Sequence, residues 1–81
     1  MKLLGRNLQI VDEVAARFCV TRGMILGRSR HSVVTRARHT AMFLLRQEGL
    51  SYPVIGKLLR RHHTSVMSGI AKQKGSTLNE A

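Results

Sequence analysis

Residues 51–72, SYPVIGKLLRRHHTSVMSGIAK, constrain the fold more than any other stretch of this chain. Apolar Ile55, Leu58 and Leu59 recur at helical spacing, and a second set, Val66, Met67 and Ile70, follows after a basic interruption. Ser51 stands where an N-cap is expected, and Pro53 falls in the first turn, where its missing N–H has no intrahelical partner to lose. The second segment opens near His63-Thr64-Ser65. The pattern predicts two short helices joined by a tight turn at Arg60-Arg61. A helix that opens with imidazole and hydroxyl groups offers hydrogen-bonding tips to base edges and backbone N–H groups to a phosphate. This is how a helix-turn-helix reader of DNA is built. The same pair of helices is also ordinary packing in a small all-helical protein.

Charge weighs toward the first alternative. The 81 residues carry 14 Lys and Arg against 4 Asp and Glu, a formal net charge of +10. Such an excess opposes compaction by self-repulsion and points to a polyanionic partner. It is also concentrated: residues 28–63 hold eight basic side chains against one acidic, whereas residues 1–27 have a balance of only +2 and residues 64–81 of +1.

The remaining segments read as helix as well. Asn7 is placed to cap a first helix whose inward positions are Leu8, Val11, Val14, Ala15 and Phe18. Cys19-Val20-Thr21 reads as a turn, with Thr21 capping a short helix through Met24, Ile25 and Leu26 that stops at Gly27. A polar loop, Arg28-Ser29-Arg30-His31, precedes a long helix from about Ser32 to Glu48, with Val34, Ala37, Ala41, Leu44 and Leu45 inward and Gly49 as its stop. The fold class expected is all-α, a compact bundle of about five helices containing a helix-turn-helix. Residues 1–75 form one domain, with the last helix ending at Gly75-Ser76-Thr77, and residues 76–81 form a flexible tail. Cys19 is the single cysteine, expected as a small buried residue. It permits no intrachain disulfide and suits a reducing cytoplasm.

Within the long helix, Arg36 and Arg38 have no acidic residue at i+3 or i+4, so they are expected, with Arg28 and Arg30, to clamp phosphates rather than to pair along the helix. Catalysis is not expected. His62 and His63 are adjacent, about 100° apart around a helix and poorly placed to share one metal, and neither a nucleophile–base pattern nor a cofactor motif is present. No apolar run is long enough to span a membrane. Single-stranded RNA readers need stacking aromatics, and here only Phe18, Phe43 and Tyr52 exist, both Phe at core positions. A protein-interaction module, or an architectural factor recruiting another nucleic-acid machine, is the alternative.

Four blocks together resemble a known family. Val14-Ala15-Ala16-Arg17-Phe18, Arg36-Ala37-Arg38-His39-Thr40-Ala41-Met42, Ser51-Tyr52-Pro53-Val54-Ile55-Gly56 and Arg61-His62-His63-Thr64-Ser65-Val66 stand in the order and near the spacing of the C-terminal DNA-binding domain of the bacterial replication initiator DnaA, a Trp-repressor-like helix-turn-helix. The likeness extends from about Ile10 to Lys74. It implies binding to double-stranded DNA, with His63 and Thr64 reading bases in the major groove and Ser65 and Arg61 on backbone or base edges. By the same resemblance, Arg30 enters the minor groove, Pro53 approaches a thymine methyl, and Arg28, Ser51, His39 and Lys72 hold phosphates. Arg36, Arg38, Arg60 and His62 complete the expected DNA-binding set. Two departures stand out. His62 replaces the family's aspartate, exchanging a capping and base-contacting carboxylate for a ring, and a glycine-rich turn becomes Leu59-Arg60-Arg61. No Gly-x-x-x-x-Gly-Lys-Ser/Thr loop occurs, so neither a nucleotide nor any other cofactor is expected. The expected role is regulation of transcription or replication at a DnaA-box-like site in a bacterial or phage-encoded, nucleoid-associated, cytoplasmic setting.

Overall fold

Five helices arise where the apolar periodicity places them. A computed structural model describes residues 2–80, and the side chains of residues 5–73. The elements are α1 (Lys2–Arg17), α2 (Arg22–Leu26), α3 (Ser32–Gln47), α4 (Tyr52–Leu59) and α5 (His63–Glu80). Helix α3 is the hub and packs against each of the other four, while α4 packs on α5 and α1 on α2. Val11, Ile25, Ala37, Ala41, Leu45, Ile55, Leu59 and Val66 are fully buried and draw on all five helices. Burying a valine, isoleucine or leucine side chain stabilises by about 1.5–3 kcal/mol, and the two alanines by less.

Local chemistry explains the boundaries. Helix α1 closes with Cys19 in the left-handed region (φ 57°), where Val20 N–H reaches Ala15 O at 2.9 Å and Cys19 N–H reaches Ala16 O at 3.2 Å. Cys19 is therefore exposed in a turn and not buried as its residue type suggested. Helix α1 also begins earlier than expected. Asn7 lies inside it, 4% exposed, rather than at its cap, and its Oδ1 has no hydrogen-bond partner among the described residues. Thr21 does cap α2, its Oγ1 accepting from Met24 N–H at 3.1 Å. His31 caps α3 through Nδ1, which accepts from Val33 N–H at 3.3 Å. Helix α3 stops at Glu48, and Gly49 takes φ 101°, the conformation for which glycine suits that position.

The α4–α5 joint is built on Gly56. Arg61 N–H reaches Gly56 O at 2.7 Å, so the backbone folds back directly over Gly56, where a Cβ would collide with the Arg61 carbonyl oxygen. Gly69 does the same for α5 against α3: a Cβ there would lie 2.7 Å from Met42 Sδ and 2.8 Å from His39 Cδ2. Ser51 takes the N-cap position of α4, but its side chain makes no capping bond, and Pro53 lies in the first turn. The α5 backbone runs to Glu80, past the stop expected at Gly75. The tail expected over residues 76–81 falls outside the described side chains.

Candidate nucleic-acid interface

The opening of α5 is exposed and well ordered by local hydrogen bonds. His62 occupies its N-cap: its carbonyl accepts from Ser65 N–H at 3.0 Å and Val66 N–H at 3.2 Å. The His62 ring completes the cap, with Nδ1 3.3 Å from Thr64 N–H and 2.8 Å from Thr64 Oγ1. Replacing a carboxylate by an imidazole therefore preserves the cap instead of abolishing it. The His63 ring lies 4.4 Å from that of His62. Periodicity divides the helix beyond this point. Val66, Gly69 and Ile70 face inward, while His63, Thr64, Ser65, Met67, Ser68, Ala71 and Lys72 face solvent. Met67, expected in the core, is 46% exposed. It sits one turn beyond His63 and Thr64, and with Ser68 it extends the outward face in a way that the helical period could have shown.

The loop before α3 forms the second part. Arg28 and Arg30 are exposed, and with Ser29, Thr35, Arg38 and Arg61 they line a concavity of about 270 Å³. Four of its six lining residues are arginines and none is acidic. The ion pairs among the described residues lie elsewhere, Arg6 with Glu48 at 3.1 Å and Arg22 with Asp12 at 2.6 Å. Those contacts hold the Arg6 and Arg22 guanidiniums more firmly charged and lower the Asp12 carboxyl, in each case chiefly through the hydrogen bond. Glu48, the single acidic residue of the basic stretch, is thus already engaged by α1.

Arg38 departs from its expected role. It is 6% exposed, and its guanidinium faces the protein: Nε donates to Ile25 O at 2.7 Å, and Nη2 is shared among Met24 O at 3.1 Å, Gly27 O at 3.2 Å and Ser29 O at 3.2 Å. The Met24 and Ile25 carbonyls end a five-residue helix and those of Gly27 and Ser29 lie in the loop after it, so the Arg38 guanidinium caps the C-terminal end of α2 and braces the loop. It stands at the inner wall of the concavity, not on the exposed helix face where the sequence pattern placed it. Burial, and then the charge of Arg61, lower its pKa. Arg61 is partly committed in the same way, its Nη2 donating to Gly27 O and its Nη1 to Arg60 O at 3.1 Å. Arg46 serves the α3–α4 joint, donating to Leu50 O at 2.8 Å with its guanidinium 4.6 Å from the Tyr52 ring centre.

The remaining expected residues are distributed as follows. Arg36 and Arg60 are exposed, and Arg60 holds the left-handed φ 59° at the end of α4. His39 is half-buried on α3 against Gly69, and its pKa is lowered by burial first and then by Lys72 and Arg38. Ser51 and Pro53 are exposed at the start of α4, the opposite end of that helix from the Arg60-Arg61 turn. The structure thus gathers Arg28, Arg30 and Arg61 around one basic concavity and His62 to Ser65 at one helix opening, linked through Gly27 and the turn. No group of three metal-ligating side chains exists among the described residues, and none of their helices is long and apolar enough to cross a membrane.

Comparison with known proteins agrees with this geometry. The family model described as the bacterial dnaA protein helix-turn-helix matches residues 8–72. Among curated relatives, the chromosomal replication initiator protein DnaA of Roseiflexus castenholzii is 45% identical over 65 residues, covering 78% of this protein and 14% of the relative. That of Oleidesulfovibrio alaskensis is 38% identical over 63 residues (76% and 14%), and DnaA 1 of Chlamydia pneumoniae 39% over 64 residues (78% and 14%). The chain therefore spans about a seventh of the length of the curated relatives it matches. No solved structure gives a significant match. With the turn built on Gly56, the exposed opening of α5 and the match over residues 8–72, the chain belongs to the bacterial DnaA helix-turn-helix family.

Proposed function

We propose that this protein is a sequence-specific reader of double-stranded DNA that regulates replication or transcription by occupying a DnaA-box-like site, with no catalytic step of its own. One observation carries the reading. The exposed, capped opening of α5 adjoins an arginine-lined concavity that contains no carboxylate. An anionic backbone relieves the mutual repulsion of those arginines, and the helix opening then lies where side chains meet base edges. In this arrangement His63 and Thr64 read bases with Met67 and Ser68 beside them. Arg30 reaches into the minor groove, and Pro53 meets a thymine methyl. Arg28, Arg36, His39, Ser51, Arg60 and Lys72 contact phosphates, and Ser65 with the free part of Arg61 supports both. The setting is the cytoplasm, on the nucleoid, for a bacterial or phage-encoded protein.

Selection of bound fragments from a random duplex library, followed by titration of the enriched and scrambled duplexes over a range of salt, tests this. Enrichment of one motif is expected, with log affinity falling against log salt at a slope of about −5 if roughly six phosphates are neutralised. A flat salt response, or RNA competing as well as the selected duplex, overturns the reading.

A further inference from the structure

The cap at the opening of α5 determines which atom of His62 faces outward. Thr64 N–H belongs to the first turn, where backbone donors have no intrahelical acceptor, and His62 Nδ1 at 3.3 Å supplies one. A ring nitrogen that accepts a backbone N–H carries no proton, so the neutral ring keeps its proton on Nε2. The Thr64 hydroxyl, 2.8 Å from the same Nδ1, is then oriented as a second donor toward it. The His63 ring backs the assembly at 4.4 Å, and His62 itself is exposed. Nε2 makes no hydrogen bond among the described residues. The outward-facing atom is consequently an N–H donor. An aspartate at the same position caps with one oxygen and presents only acceptors.

Resting on the reading of α5 as a DNA reader, we propose that His62 is a specificity-determining residue whose Nε2–H donates to an acceptor on a base edge, selecting guanine at the position it faces. In the major groove guanine offers two acceptors, N7 and O6, whereas cytosine offers only its N4 amino donor, which the His62 N–H opposes. Adenine N7 and thymine O4 accept too, but each base pairs its acceptor with an amino or methyl group, so guanine is the better match. The cap, a local hydrogen bond, thereby sets the recognition chemistry of the residue that makes it.

Two measurements test this. Histidine ¹⁵N resonances of the free protein should show His62 protonated at Nε2 and bare at Nδ1; a ring protonated at Nδ1 alone overturns the inference without touching the DNA reading. Random-duplex selection with the wild-type protein and with His62→Asp, which retains a capping side group, should give motifs that differ at one position. There guanine gives way to cytosine, with a preference of roughly 5- to 150-fold in each direction. Should His62→Asp not fold, His62→Ser serves, because its short hydroxyl keeps the cap and presents no further donor, and loss of the guanine preference at that position is the expected result. Motifs that are sequence-specific but identical for wild type and variant overturn the role of His62 alone. No enrichment by the wild-type protein overturns the DNA reading and this inference together.

Discussion

Replacing Arg38 by methionine separates a structural arginine from a DNA-binding one. Methionine keeps most of the aliphatic stem that lies in the α2–α3 contact and removes the guanidinium. The bond from Nε to Ile25 O, 2.7 Å and buried, is charge-assisted and contributes about 1.5–3 kcal/mol. The three bonds of Nη2 to Met24, Gly27 and Ser29 are partly open to solvent, so water replaces much of each, and together they add about 1 kcal/mol. Against this, relief of the burial and of the Arg61 repulsion that lower the Arg38 pKa returns part of the loss. The net expectation is a destabilisation of about 2–4 kcal/mol, a large share of the roughly 4–12 kcal/mol available to a domain of this size. Urea unfolding followed by circular dichroism measures it, with Arg36→Met as the exposed neighbour, expected within about 0.5 kcal/mol of wild type. If Arg38→Met unfolds like wild type yet binds every duplex more weakly, the bracing role is wrong and the guanidinium reaches a phosphate.

Arg60→Gly should raise stability by about 0.5–1 kcal/mol, because it removes a Cβ from a left-handed residue (φ 59°) at some cost in unfolded-state entropy; a fall in the urea midpoint contradicts the strain argument. Gly69→Ala should cost about 1–3 kcal/mol through crowding of Met42 and His39, and Gly56→Ala more, because there the obstacle is the Arg61 backbone; equal thermal midpoints for both variants and wild type would refute the close approaches. His39, its pKa lowered below the ordinary 6.5 by burial, then Lys72 and Arg38, stays neutral in the fold while the unfolded state takes up a proton. The unfolded state then binds more protons, so stability declines as pH falls through about 6.5 toward the depressed folded value. His39→Gln should flatten that decline in urea titrations from pH 7 to 5, and an unchanged slope places the titration on another group.

Much of the fold was legible because it depends on period and caps. Ile55, Leu59, Val66 and Ile70 lie inward as their spacing requires, Thr21 caps α2, and Gly49 ends α3. The structure departs from the sequence expectation where residue type alone does not decide which way a side chain faces. Met67 is apolar but falls on the outward side of α5, and Cys19 is small but sits in a left-handed turn. Asn7 has the chemistry of a cap yet is held inside α1, because the helix extends to Lys2. In the site, Arg36 and Arg38 are indistinguishable in sequence, both lacking a carboxylate one turn away. Two residues along a helix is about 200°, so when Ala37 and Ala41 face the core only one of the two arginines lies over α2. That Arg38 is the buried one depends on where the α2 carbonyls end, a tertiary fact.

The carbonyl of Gly27 joins the two halves of the interface. Arg38, from the middle of α3, and Arg61, from the turn before α5, both donate to it. The loop bearing Arg28 and Arg30 is thereby fixed to the helix opening that bears His62 to Ser65. A mobile arm would lose backbone freedom of about 1–2 kcal/mol per residue when it settled on DNA, and this tie meets that loss during folding. Burial first, and then the charge of Arg61, lower the Arg38 pKa, so two arginines donating to one carbonyl are an unfavourable way to brace a loop in the free protein. The arrangement makes physical sense when the repulsion is compensated on binding: an anion entering the concavity meets guanidiniums already held in place. Arg61 braces Gly27 and also lines the concavity, while Arg60 beside it closes α4 in the left-handed region with its N–H directed to Gly56 O and Lys57 O.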